Sequence, residues 1–286
     1  IFIAGDSTAA PGAGERQQGW GEPFAAYFDP ANVNVVNLAR GGRSSRTFVT
    51  EGLWEQLIAR VKPGDTVLIQ FGHNDGGPIN DEPPPPLRAR GSLPGLGEET
   101  KAIDNVLTKQ HEVVHTFGWY MRKMIAEVKA RVAPIVLSLT VRNRWTEKRI
   151  ERGSGHYSEW AFDVAKAAAV PFLDVTNEAA DRLEALGEAR SSGLYPQDAT
   201  HFNAEGADLH AKVIVAGLRG LRPSPVEPGL SAKGREVAAD SFAWLRLPRP
   251  QNVSLPSLFL VGDSTVRNGR GDGIDGQWGW GDYLGT

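Results

Sequence analysis

Five short apolar runs, each bounded by Gly, Pro, Asn or Asp, divide the first 220 residues of the chain. They are Ile1–Ala4, 33–38 (VNVVNL), 66–71 (TVLIQF), 134–140 (PIVLSLT) and 170–175 (VPFLDV). Their length and β-branched content are those of buried strands. Between them, apolar residues recur at the helical period over 52–61, about 112–131, 157–169, 176–187 and 204–219. Strand and helix in alternation predict an α/β fold, a parallel sheet with helices on both faces, complete within residues 1–221.

Two stretches break this pattern. Residues 76–100 (GGPINDEPPPPLRARGSLPGLGEET) are too rich in Gly and Pro for a regular element. They predict a long loop after the third strand, placed to border a functional cleft. Residues 222–257 are punctuated by proline (RPSPVEPG, LPRPQNVSLPS) and read as a linker, with FAWLRL at 242–247 apolar enough to dock on the first domain.

Beyond this linker the pattern starts again. LFLVGDST at 258–265 repeats IFIAGDST at 1–8, and WGWGDYL at 278–284 answers QGWGEPF at 18–24. A repeat at this distance predicts tandem domains, with 258–286 the truncated start of a second one. So short a piece leaves a strand edge unpartnered, so it is expected to dock on the body or to make a chain–chain contact. Residue 1 is an Ile already inside a strand, and a true start with any targeting signal is expected to precede it.

Composition narrows the function classes. The net charge is −3 and no basic block stands out, so nucleic acid is not an expected partner. The longest apolar runs are strand-sized, which excludes a membrane-spanning helix within this sequence. Without cysteine the chain has neither disulfides nor thiolate chemistry. Eight Trp suit both a buried core and stacking on sugar rings, with core burial the better reading of each one singly.

The candidate chemistry sits at strand ends. Ser7 follows the first strand, where the carboxyl ends of a parallel sheet line a ligand crevice. It reads as a nucleophile or as a turn serine. Gly41 and Gly42 follow the second strand, where an amide can approach a ligand closely. Asn74, in QFGHND, follows the third and could present a side-chain N–H to an oxyanion or form an Asx turn. Asp198 and His201, in PQDATHFNAEG, precede the last helix, which Asp198 or Asn203 could instead merely cap. Were both side chains to turn inward, His201 could take the Ser7 proton while Asp198 orients the ring.

The blocks GDST, GGRSSR, GHND and DATH, in this order, resemble those of the SGNH (GDSL-type) hydrolases, and their spelling is most similar to the rhamnogalacturonan acetylesterase branch. The resemblance covers about 1–220. It implies a flavodoxin-like three-layer α/β/α sandwich with a five-stranded parallel sheet. It implies Ser7 as nucleophile, His201 as base with Asp198 behind it, and an oxyanion hole of the Ser7 amide, Gly42 and Asn74. Gly42 is preferred to Gly41 because it directly precedes RSSR. The implied reaction is removal of acetyl groups from a plant cell-wall polysaccharide, rhamnogalacturonan first and xylan second. It would need no metal or organic cofactor, and the place would be outside the cell or in a periplasm. Trp145, in RNRW, is expected to border the substrate cleft.

Three other readings compete. HEVVH at 111–115 fits the H-E-x-x-H zinc-peptidase motif, with His111 and His115 as ligands on a helix and Glu112 as base. The third ligand of the longer pattern would fall at position 121, which is Met121, and Glu127 lies too near on the same helical pattern to replace it. GDGIDG at 271–276 fits G-x-G-x-x-G, but no helix opens after it. A non-catalytic polysaccharide-binding module derived from an esterase would keep the fold and lose a catalytic residue; the first domain keeps them all. The repeated Ser264 has no Asn, His or Asp block after it and reads as a turn residue.

Overall fold

The computed structural model describes residues 1–243 except 13, 15, 82–84, 153, 154 and 242, together with 258, 262 and 266. The chain divides into two compact units, Ile1–Arg246 and Leu247–Thr286. Of the second, only Leu258, Gly262 and Val266 are described. The repeated strand, Ser264, the tryptophan motif at 278–284, GDGIDG and the expected chain–chain contact therefore lie outside the described residues.

In chain order the first unit contains β1 (Phe2–Gly5), α1 (Gly21–Phe24), β2 (Val36–Asn37), α2 (Ser45–Thr50), α3 (Leu53–Ile58) and β3 (Thr66–Gln70). A hairpin of β4 (Thr100–Asp104) and β5 (His111–His115) follows, then α4 (Phe117–Lys129) and β6 (Ala133–Leu137). A second hairpin, β7 (Trp145–Thr146) and β8 (Arg149–Ile150), precedes α5 (Tyr157–Ala167), β9 (Phe172–Leu173), α6 (Val175–Leu186), α7 (Glu188–Ser192), α8 (Ala204–Gly220) and α9 (Ala232–Arg235).

All five sequence-predicted strands enter one parallel sheet in the order β2-β1-β3-β6-β9. Counting only these five, the order is 2-1-3-4-5, the doubly wound order in which the chain reverses direction between the first and third strands. Alternate side chains serve two cores. Ile3, Leu68, Ile135, Leu137 and Leu173 face α1, α6 and α8 on one side. Phe2, Ala4, Val67, Ile69, Val136 and Phe172 face α2, α3, α4 and α5 on the other. Burial on both faces is why these strands read as continuous apolar runs. The fold is the expected α/β sandwich. No helix among the described residues is long and apolar enough to cross a membrane.

The repeated tryptophan motif has a structural explanation in its first copy. Trp20 is fully buried, meets Phe24 edge-on with centroids 5.5 Å apart, and donates its Nε1–H to Gln70 Oε1 at 2.7 Å. Its flanking glycines leave room for the close approach. A Cβ on Gly19 would lie 2.2 Å from the Ala10 carbonyl oxygen, and one on Gly21 2.4 Å from Asn37 Nδ2.

Two expectations change. The predicted helix 112–131 begins only at Phe117, because Thr116 is its N-cap and accepts from the Trp119 amide at 3.0 Å. Residues 111–115 form a strand instead, paired antiparallel with Thr100–Asp104. The proline-punctuated stretch from residue 222 is not a free connection over its described part. It carries a 3₁₀ turn (Glu227–Gly229) and α9, and it buries Val226, Leu230, Val237 and Ala243. Backbone bonds tie it down, among them Asp174 N–H to Ala243 O at 2.7 Å and Asp240 N–H to Ala216 O at 2.9 Å. The prolines shape turns here, while the apolar residues between them supply the docking.

Candidate active site

The carboxyl ends of β1, β2 and β3 converge where the sheet reverses direction, and the polar residues after them face one another. Asp6 and Ser7 follow β1. Asp6 is buried, its Oδ1 accepts from the Thr8 amide and hydroxyl at 2.9 Å each, and its carbonyl receives the Ala9 and Ala10 amides. These bonds hold the turn that presents Ser7. Burial pushes the Asp6 carboxyl up to about 6, against the pull of the two Thr8 bonds.

Ser7 Oγ lies 2.9 Å from His201 Nε2, and His201 Nδ1 lies 2.7 Å from Asp198 Oδ2. The other oxygen of Asp198 accepts the Thr200 and His201 amides at 2.7 and 2.8 Å. Partial burial alone would raise the Asp198 carboxyl; these hydrogen bonds and the adjacent imidazole outweigh it and hold it below the usual range. Asn203, not Asp198, caps α8, accepting from the Gly206 amide at 3.0 Å. Phe202 anchors the segment. It is buried, stacks on His210 with centroids 4.4 Å apart, and its carbonyl accepts the Gln18 amide.

Gly42 has φ +76°, a left-handed conformation that a side chain would strain, whereas Gly41 does not. Neither the Ser7 nor the Gly42 amide makes a hydrogen bond among the described residues. Asn74 donates one Nδ2–H to the Arg43 carbonyl at 3.0 Å, which fixes the amide and leaves the second N–H for the cleft. The two amides and the Asn74 side chain are therefore a set of uncommitted donors at the strand ends that flank Ser7.

Behind Asn74, Asp75 is fully buried and accepts from the Ser45 amide (3.2 Å), the Ser45 hydroxyl and the Ser92 hydroxyl (2.9 Å). Burial pushes its carboxyl from 3.8 up to about 6, although these bonds pull the other way. A carboxyl with a raised folded-state value adds stability below its unfolded value and loses it as the pH rises through the folded one. Asp75→Asn removes that loss. The difference in unfolding free energy between variant and wild type is expected to move in the variant's favour by about 2 kcal/mol from roughly pH 4 to pH 7. Urea unfolding at both ends of that range measures it, and a difference that stays constant with pH contradicts it.

The cleft over Ser7 has a volume of about 350 Å³ and is lined by Gln17, Gly41, Gly42, His73, Asn74, Arg90, Arg142, Thr200 and His201 as well as Ser7 itself. The long loop after β3 contributes Arg90. His73 is held neutral, since burial pushes its imidazole down to about 3, and its Nε2 lies 3.0 Å from Thr140 Oγ1. Trp145 is not among the lining residues; it is half-buried against the core and its Nε1–H goes to Asn143 Oδ1 at 2.7 Å. The expectation placed on Trp145 falls three residues too late, because it is Arg142, the first residue of RNRW, that reaches the cleft. Thr200 lies inside DATH, Arg142 inside RNRW and Arg90 in the long loop expected to border the cleft, but nothing in those stretches singles them out. Gln17, just before the first tryptophan motif, carries no signal of its own.

The zinc-peptidase reading is overturned. On a strand, residues four apart lie about 13 Å from each other, too far to share a metal ion. Glu112, the supposed base, holds buried Arg46 instead, with Oε1 2.7 Å from Nε and Oε2 2.8 Å from NH2. His111 pairs with Asp104, and His115 stacks on Trp119 at 3.8 Å. No group of three or more metal-ligating side chains occurs among the described residues.

Comparison with known proteins agrees with this geometry. The GDSL-like Lipase/Acylhydrolase family model matches residues 3–209. The rhamnogalacturonan acetylesterase of Emericella nidulans is 34% identical over 221 residues, covering 76% of this chain and 84% of its own. RhgT of Bacillus subtilis, also named a rhamnogalacturonan acetylesterase, is 29% identical over 254 residues, 82% of this chain and 96% of that one. Among solved structures, YxiM of Bacillus subtilis matches with a TM-score of 0.60 and 26% identity, over 77% of this chain and 55% of that one. With a family match over most of the first unit, and with this order of blocks, the chain belongs to the GDSL-like lipase/acylhydrolase family and is a carboxylic ester hydrolase of the SGNH type.

Proposed function

We propose that the protein removes O-acetyl groups from a plant cell-wall polysaccharide, rhamnogalacturonan rather than xylan, through an acetyl-enzyme formed on Ser7. The observation that carries this reading is the unbroken line from Ser7 Oγ to His201 Nε2 to Asp198 Oδ2, at 2.9 and 2.7 Å. Two relatives named rhamnogalacturonan acetylesterase support the choice of polymer.

In the first step Ser7 Oγ attacks the acetyl carbonyl while His201 Nε2 takes its proton. The carbonyl oxygen gains charge and is met by the Ser7 amide, the Gly42 amide and the free N–H of Asn74. Collapse expels the sugar hydroxyl, which takes the proton back from His201. A water then attacks the acetyl carbonyl while His201 takes its proton. The bond to Ser7 Oγ breaks, acetate leaves, and Ser7 Oγ takes the proton back from His201. Asp198 keeps the His201 proton on Nδ1 throughout, so that Nε2 starts each half-reaction as an acceptor. An acetylated wall polymer is too large to enter a cell, so the protein is assigned to the outside of the cell or a periplasm.

The donors act mainly on the transition state, because the charge they meet forms there. Asn74→Ala is expected to lower kcat about 100- to 1000-fold with little change in KM. Steady-state hydrolysis of 4-nitrophenyl acetate measures both, and an effect confined to KM would remove Asn74 from the oxyanion site.

The function itself is tested by acetate release from acetylated rhamnogalacturonan and acetylated xylan oligosaccharides, with 4-nitrophenyl acetate, butyrate and octanoate alongside. Fast turnover of the rhamnogalacturonan ester and of acetate over longer acyl groups is the expected result. Preference for octanoate would contradict the acetylesterase reading, and preference for xylan would contradict the polymer.

A further inference from the structure

Many arginines of the first unit have an acidic partner, and others without one, such as Arg40, Arg60 and Arg235, stand exposed to water. Arg43 pairs with Glu51, Arg122 with Glu98, Arg190 with Glu205 and Arg219 with Glu227. Arg142 and Arg90 differ. Both line the cleft over Ser7, both are half-buried, and neither guanidinium makes a hydrogen bond or ion pair among the described residues. The Nε of each is fully buried without a partner. Taking a guanidinium out of water without an acceptor is costly, and the cost is offset when a ligand anion supplies one.

No carboxylate among the described residues fills that role for Arg142. Asp6, Asp198 and Glu151 act on it electrostatically, yet none is within ion-pairing distance. Asp198 is engaged by His201 and two backbone amides. Glu151 pairs with Arg144. Asp6 is turned to Thr8, and its burial favours the neutral acid.

We propose that Arg142 and Arg90 bind a carboxylate of the substrate, so that the acetylated sugar offered to Ser7 belongs to a uronate-bearing glycan. The proposal rests on the acetylesterase reading of the cleft and separates its two candidate polymers. Rhamnogalacturonan contains galacturonate; a xylan backbone carries no charge and would leave the buried Nε of both arginines without an acceptor. The planar guanidinium presents parallel N–H groups that match the two oxygens of a carboxylate, and the arginines thereby set which sugar faces the nucleophile. Such a contact carries specificity and is weakened by salt.

The test uses two small esters that differ only in charge, the acetylated methyl glycoside of galacturonic acid and its carboxyl methyl ester. Wild-type protein is expected to favour the free acid by about tenfold or more in kcat/KM at low ionic strength, with the ratio shrinking as salt is added. Arg142→Gln and Arg90→Gln are each expected to bring the ratio towards one. Either variant suffices if the other fails to fold, and the salt dependence needs neither. A wild-type ratio of one, or a ratio unchanged in both variants, overturns the proposal. Hydrolysis of 4-nitrophenyl acetate in the same preparation would then leave the acetylesterase reading standing. Failure of the wild type on all three esters would overturn that reading and the arginine assignment with it.

Discussion

Replacing Ser7 by alanine is expected to lower kcat for acetyl-ester hydrolysis about a millionfold, the scale on which loss of a serine nucleophile is felt in other hydrolases. The magnitude follows from what is removed. Without Oγ no acetyl-enzyme can form, and His201, whose Nε2 lies 2.9 Å from that oxygen, has no proton to take. Uncommitted amides at Ser7 and Gly42 remain and can still polarise a carbonyl, so a residual rate above that of water is expected. His201→Ala should cost about as much, and the double variant no more than either single one, because the two act as a unit. Ser264→Ala is the control. It changes the repeated Gly-Asp-Ser-Thr while Ser7, His201 and Asp198 stay intact, and should leave the rate unchanged. Hydrolysis of 4-nitrophenyl acetate by the four variants measures all of this. Activity surviving Ser7→Ala, or lost in Ser264→Ala, would contradict the assignment of the nucleophile.

Asp198→Asn is expected to lower kcat about a thousandfold, with KM little changed. The argument is one of tautomers. Asp198 Oδ1 accepts the Thr200 and His201 amides, while Oδ2 faces His201 Nδ1. An asparagine must keep its carbonyl oxygen towards the two amides and so turns its NH₂ to the ring. Nδ1 then has to accept, the ring proton moves to Nε2, and the base facing Ser7 becomes a donor. In buried triads this change costs about ten-thousandfold. Here half of the Asp198 side chain is exposed. Water screens the electrostatic share, and the smaller figure is expected. Asp198→Ala leaves the ring free to choose its tautomer and should be less damaged than Asp198→Asn. If the two variants are equal, the contribution of Asp198 is electrostatic and the tautomer argument fails.

Several features are written in contiguous residues. The five strands are short runs of β-branched and aliphatic residues, and a strand buried on both faces needs nothing else to be recognised. The four chemical blocks are short sequences set at strand ends, so their order along the chain already places Ser7, Gly42 and Asn74 on one rim of a parallel sheet. His201 and Asp198 are three residues apart, and the turn that joins them is local. What remained open was whether Asp198 orients a base or caps a helix, a choice between two partners only a few residues away. Asn203 takes the cap, which leaves Asp198 to the imidazole.

HEVVH shows where such reading stops. Its histidines share a face on a helix and also on a strand, because an interval of four suits both periods. The choice was made elsewhere, by the strand at Thr100–Asp104 that pairs with it and by Arg46, 66 residues away, which needed the Glu112 carboxylate. The prolines from residue 222 onward likewise predict a break in regular structure but not the docking of Val226 and Leu230 into the core. Trp145 and Arg142 lie three residues apart after the same strand, and which of them reaches the cleft depended on the second hairpin and on the Asn143 amide bonding to the Ala199 carbonyl.

The sequence by itself determined the sheet, the helices between its strands, the family and the identity of the proposed nucleophile and base, because each is encoded in a run of neighbouring residues with a definite backbone geometry. Tertiary structure alone decided that the zinc motif is a strand, that the proline-rich stretch is part of the body over its described residues, and that two arginines over Ser7 have no partner among the described residues. Those outcomes depend on which distant groups meet and which are left without a partner, and no stretch of neighbouring residues contains that information.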